Sequence, residues 1–182
     1  MAYRSENQVW EQVMGLLNDW VSSQNLGTWI VRQGHQPHIV DITSRLIWVD
    51  RISSTRYGWQ ADKPRLDEAS QQMVNDIRYY TDMVFQISFF KRRENNDTVD
   101  TLTSSDVANQ MLTYLMSETG LANFRALGFG LLRTTELREP IFSDEDDTYE
   151  RNPNFDITIN FEQVQTSNIG SIGSLQDVIK GF

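Results

Sequence analysis

The chain contains no cysteine, which removes disulfide stapling, thiol catalysis and thiolate metal sites from consideration. Histidine is scarce, and both copies fall in His35-Gln36-Pro37-His38. Pro37 works against a helix there, and two ligands without a nearby third are too few for zinc. A polar loop is the expectation. Basic residues are outnumbered, 16 against 25 acidic, for a net charge of −9. Such a surface repels the phosphates of DNA and anionic lipid headgroups. No stretch approaches the ~20 apolar residues of a spanning helix. Met1-Ala2-Tyr3-Arg4-Ser5-Glu6-Asn7 also lacks the apolar centre of a secretion signal. The expectation is a chain with no membrane role, made in a cytoplasm and assembled from there.

Catalytic kits are lacking too. Gly128-Phe129-Gly130 has no third glycine at dinucleotide-fingerprint spacing. Gly170-Ser171-Ile172-Gly173-Ser174 is neither a nucleophile elbow nor a lysine-bearing phosphate loop. No serine has a credible base beside it, and scattered carboxylates cannot be placed at a glycosidase separation. Catalytic, cofactor-binding and metal-binding residues are therefore all expected to be none.

What is present is alternation. From Ile77 through Tyr79, Thr81, Met83, Phe85, Ile87 and Phe89 the odd positions are apolar or nearly so, while Arg78, Asp82, Gln86 and Ser88 fall between them. A period of two marks a long strand with one face in a core. Phe155, Ile157, Ile159 and Phe161 repeat the pattern against Asp156, Thr158, Asn160 and Glu162. Five Trp and nine Phe in a chain 39% hydrophobic supply material for a core.

Ser5 to Gln24 reads as an amphipathic helix with Val9, Trp10, Val13, Leu16, Leu17, Trp20 and Val21 on one face. Thr28–Arg32 predicts a short strand. Arg45–Ile52 predicts one covered on both faces, continued by Arg56-Tyr57-Gly58-Trp59, and residues 60–70 an extended polar loop. Residues 94–101 read as a connector. Thr103-Ser104-Ser105-Asp106 opens a helix with a capping-box pattern and a stripe of Val107, Met111, Leu112, Leu115 and Met116. Gly120 is expected to stop that helix, with a further turn or two over Leu121–Leu127 ended by Gly128. Phe129–Leu137 predicts another strand.

These elements predict an α+β fold, a mostly antiparallel sheet of about four to six strands with helices packed on one face. Residues 1–167 are expected to form one domain and 168–182 a C-terminal arm carrying the apolar stripe Leu175, Val178 and Ile179.

Two segments stand out as candidate contacts. Asp144, Glu145, Asp146 and Asp147 form an acidic loop without the residue order of a calcium site. A solvated loop or a docking surface for a basic partner is the expectation. Arg45, Arg51, Arg56 and Arg65 interleave with Trp48, Tyr57 and Trp59. That mixture can stack on single-stranded nucleic acid, but the acidic total favours subunit contacts through Arg56 and Trp59.

The segment order as a whole resembles the tailed-bacteriophage neck or tail-terminator proteins, in particular the neck-terminator-like branch. The resemblance rests on the leading helix, Arg56-Tyr57-Gly58-Trp59, and the strand through Met83-Val84-Phe85-Gln86-Ile87. It continues with the helix at Asp106–Leu112, Leu121-Ala122-Asn123-Phe124, Leu127–Arg133 and the strand Phe155–Phe161. It implies a non-enzymatic virion protein without a cofactor, forming a homo-oligomeric, usually hexameric ring. Such a ring caps the tail tube, ends its polymerisation and joins the tail to the head connector. The implied partners are further copies of the chain, the tail tube protein, the head–tail connector proteins and the sheath, with DNA passing through the lumen unbound. Another head–tail connector or tail-completion ring is the alternative, and a nucleic-acid-binding module a more distant one.

Overall fold

A computed structural model describes residues 4–26, 28–34, 45–70, 72–91, 101–140 and 152–170. The elements in chain order are α1 (Glu6–Ser23), β1 (Ile30–Gln33), β2 (Arg45–Asp67), β3 (Gln72–Lys91), α2 (Ser104–Met116), α3 (Glu118–Ala126), β4 (Gly130–Thr134) and β5 (Asn154–Gly170). The strands form one sheet ordered β1-β2-β3-β5-β4. β1 runs parallel to β2, and every other pairing is antiparallel. The α+β architecture is as expected.

α1 begins where the sequence places it, because Ser5 and Gln8 close a reciprocal capping box. Its seven predicted apolar residues are all buried. At about 2 kcal/mol per buried side chain, that stripe is the main force laying the helix on the sheet. Trp10 meets Phe85 with ring centroids 6.2 Å apart, and Trp29 meets Phe89 at 6.4 Å. The same sheet face carries Ile47, Val49, Met83, Ile87, Phe155, Ile157, Ile159 and Phe161, all in one core with α1, α2 and Phe124 of α3.

Several expectations need correction. Residues 60–67 are not a loop: β2 continues through them, and only Glu68, Ala69 and Ser70 turn. Arg45–Ile52 is not covered on both faces. Ile47 and Val49 enter the core, but Trp48 is half-buried against Phe90 and Ile52 is 54% exposed. The pairing with β3 skips Ile52, and such a bulge turns a side chain out of its expected face. Gly120 does not stop a helix either. The break falls at Ser117, whose side chain accepts the Gly120 N–H and caps α3, so Gly120 lies inside that helix. Because α2 ends there, Met116 is 55% exposed rather than part of the stripe. The second helix of this pair, α3, does end at Gly128 as expected, where a φ of +76° suits a residue without Cβ.

The strands outrun the helices. β1 pairs only with Leu46–Val49 of β2, and β4 pairs only with Ile157–Asn160 of β5. The main core cluster reaches no further than Met83 on β3 and Phe161 on β5 in that direction, although Val74 and Val164 beyond it are also buried. Among the described residues the sheet narrows beyond Thr81 to a three-stranded ribbon made from Arg56–Asp67, Gln72–Tyr80 and Glu162–Gly170. Twelve residues of β2 span about 40 Å at strand rise, so the ribbon is a long projection from a small helix-covered base. Among the described residues β2 is an edge strand there, a position that tolerates Pro64.

Candidate interaction surface

Outside the main core, the ribbon is tied by polar bonds across its strands beside the buried Val74 and Val164. Arg65 of β2 places Nε 2.8 Å from Asp76 Oδ2 of β3, and Thr166 of β5 donates its hydroxyl to Asp76 Oδ1 at 2.7 Å. One carboxylate, only 6% exposed, thus ties three strands together. Nearer the base, Asn160 Nδ2 lies 2.6 Å from Tyr57 Oη and 2.9 Å from Asp82 Oδ1. Tyr57 stacks on Tyr80 with centroids 6.2 Å apart, and both rings are nearly half exposed. Partial burial, and then the charge of Asp82, raise the Tyr57 phenol above its ordinary value.

The Arg65 guanidinium and then the Thr166 hydroxyl hold the Asp76 carboxyl below the usual carboxylate range. A depressed folded-state pKa means that the contribution is fully present above the unfolded value and is lost as pH falls through the folded one. The ribbon is therefore expected to loosen below about pH 4 while the base persists. The protection of the Val74 and Asn75 amides against hydrogen exchange, corrected for the intrinsic pH dependence of exchange, should fall there in the native chain and change less in Asp76→Asn. An equal fall in both would show that Asp76 is not the group responsible.

The basic-aromatic stretch does not assemble as a platform. Arg51 pairs with Glu6 and lies over the Trp10 ring, and Arg65 pairs with Asp76 and Asp67. Arg45 donates to Thr28 Oγ1 at 2.8 Å. Arg56 is exposed, with its guanidinium 4.6 Å from the Tyr79 ring centre, and pairs in register with buried Thr81. Arg56, opposite Thr81, lies on the core side of the sheet, whereas Trp48, opposite Ser88, and Tyr57, opposite Tyr80, lie on the other side, which Arg65, opposite Val74, shares. Trp59 belongs to β2, within the irregular pairing between Tyr57 and Ala61 that also holds Gly58 at φ +88°. Asp144, Glu145, Asp146 and Asp147, and His35 and His38, lie outside the described residues. Among the described residues no group of three His, Asp or Glu could hold a metal ion, and no helix is long and apolar enough to cross a membrane.

Two features were not anticipated. Among the described residues the sheet ends in β1 and β4; β4 carries Leu132, 57% exposed, and beside it stands Met116. The Thr134 hydroxyl reaches Met116 Sδ at 3.3 Å, so the end of α2 lies against this edge. A groove of about 410 Å³ also runs between α1 and α3, lined by Gln12, Gly15, Leu16, Asp19, Asn123, Ala126 and Leu127. A glycine inside an amphipathic helix is the one sequence signal that points to it.

A protein-family model described as E217 gateway protein gp29 matches residues 8–171. The chain belongs to this family. The gateway family is a structural one of the bacteriophage head–tail joint, which makes the chain a virion component with a joining role. The match covers the helical base, the whole sheet and the ribbon. No curated protein matches the chain.

Proposed function

We propose that the chain is the subunit of a closed ring, of six copies, at the phage neck. The ring caps the tail tube, ends its polymerisation and seats the tail on the head connector. The family match carries this reading. The fold supports it through two unlike sheet edges, since a ring needs heterologous contacts in which one edge meets a different one. Exposed Leu132 of β4 and exposed Met116 at the end of α2 supply one side of such a contact. Six copies at −9 each bring about −54 charges into one annulus, a field that lets DNA pass without adhering. Partners are further copies of the chain, the tail tube protein, the connector proteins and the sheath. A gateway ring that joins head and tail without itself ending tube growth is the second reading, favoured by the family's description.

Cryo-electron microscopy of virions tests both. An annulus at the joint, with unassembled tails in its absence, is the expected result. A lone monomer within intact particles would overturn the ring. Overlong tails in a mutant lacking the protein separate the first reading from the second. Leu132→Asp is expected to reduce ring yield by about tenfold or more, since it places a charge in an apolar contact. Mass photometry of the purified variant reads this directly. Replacing Asp144, Glu145, Asp146 and Asp147 by lysine is expected to block head–tail joining while rings still form, which an in vitro joining assay would score.

A further inference from the structure

We infer that residues 175–182 of one copy dock, as a short amphipathic helix, into the α1–α3 groove of a neighbouring copy. Leu175, Val178, Ile179 and Phe182 recur at i, i+3, i+4 and i+7, the anchor spacing by which a helix lies in an apolar groove. The groove suits a helix of this kind. A Cβ added at Gly15 would meet nothing within 4 Å, and Ala126 faces it with a small side chain, so backbones can approach closely. Leu16 and Leu127 form the apolar floor. The Gln12 side-chain oxygen is shielded from solvent and has no hydrogen-bond partner among the described residues, which leaves an acceptor for an incoming donor. Asp19 at the rim offers a negative group to Lys180.

Reach decides between the chain's own groove and a neighbour's. Gly170 pairs with Met73 at the far end of the ribbon, whereas the groove lies along α1 past Trp10, which packs on Phe85. Met73 to Phe85 is twelve steps of strand, about 40 Å. Leu175 is five residues from Gly170 and extends at most about 17 Å from it. The arm cannot return to its own base, so the occupied groove belongs to a second copy. This step rests on the self-assembly proposed above. It deepens that proposal by making the ribbon the spacer that carries the arm from one subunit to the next.

The absence of native cysteine makes the test direct. Single variants Gly15→Cys and Val178→Cys, each in the otherwise complete chain, are purified, mixed and treated with a short bis-maleimide cross-linker. Gly15 has open space at its Cβ, so its substitution leaves the fold undisturbed. Docking between copies gives a heterodimeric conjugate joining position 15 to position 178, identified by peptide mass. Adding Ile179→Asp to the second variant should lower its yield about tenfold, the effect of losing roughly 1.4 kcal/mol of apolar contact. A Gly15→Cys/Val178→Cys double variant that cross-links only within one chain overturns the inference. So does a mixture giving no conjugate at all. The mass of that same mixture before cross-linking then distinguishes the failures: an assembled ring leaves the proposed function standing, and a monomer removes both.

Discussion

Phe85→Ala is expected to lower the unfolding free energy by about 4 kcal/mol, from lost transfer energy and the cavity left behind. Phe85 is fully buried at the middle of β3, under the Trp10 indole and beside Ile157 on β5. It touches both the helix layer and the neighbouring strand, so no single element can collapse into the space it leaves. Domains of this size typically hold about 5–15 kcal/mol in all, so the loss is a large share of the total. A fall of roughly 8–16 °C in melting temperature follows. Thr55→Ala, on the exposed ribbon side of the same sheet, should stay within about 0.5 kcal/mol. Chemical denaturation of both variants checks this. A loss under about 1 kcal/mol at Phe85 would mean that α1 does not seal the sheet there.

The part of the fold that was legible from sequence is the part this experiment probes. Alternation at Met83, Phe85, Ile87 and Phe89 exists because helices cover one face and water the other, and that difference is written into successive residues. The ribbon was illegible for the same reason reversed. Ala61-Asp62-Lys63-Pro64-Arg65-Leu66-Asp67 lies beyond the main core cluster, so little selects alternation. Its strand state comes from pairing with residues of β3 that are distant in sequence, a non-local cause that local propensity cannot report. Ile52 misled because a bulge is a property of two strands together. Of the candidate contacts, Arg56 is set over Tyr79 on the ribbon, and the acidic quartet at Asp144 to Asp147 lies outside the described residues. The α1–α3 groove needed two helices in place before Gly15 acquired meaning.

Glycine also misled at position 120, and there the consequence is large. Inside a helix, exchanging glycine for alanine usually gains up to about 1 kcal/mol. The structure predicts the opposite sign. A Cβ at Gly120 would stand 2.2 Å from the Tyr114 carbonyl oxygen and 3.0 Å from both the Leu115 Cα and its carbonyl oxygen. All three are backbone atoms of α2, so no side chain can swing aside. Relief requires α3 to move off the end of α2, dragging buried Phe124 and the Ser117 cap with it. Gly120→Ala should therefore cost about 3 kcal/mol, the overpacking penalty outweighing the propensity gain. Gly15→Ala is the internal control, since that position is exposed and open, and it should gain about 0.5–1 kcal/mol. The same exchange in two helices of one chain thus has opposite expected signs. Thermal melts of the pair decide it: a stabilised Gly120→Ala variant would show that α2 and α3 do not meet this closely, and the Ser117 hinge would have to be redrawn.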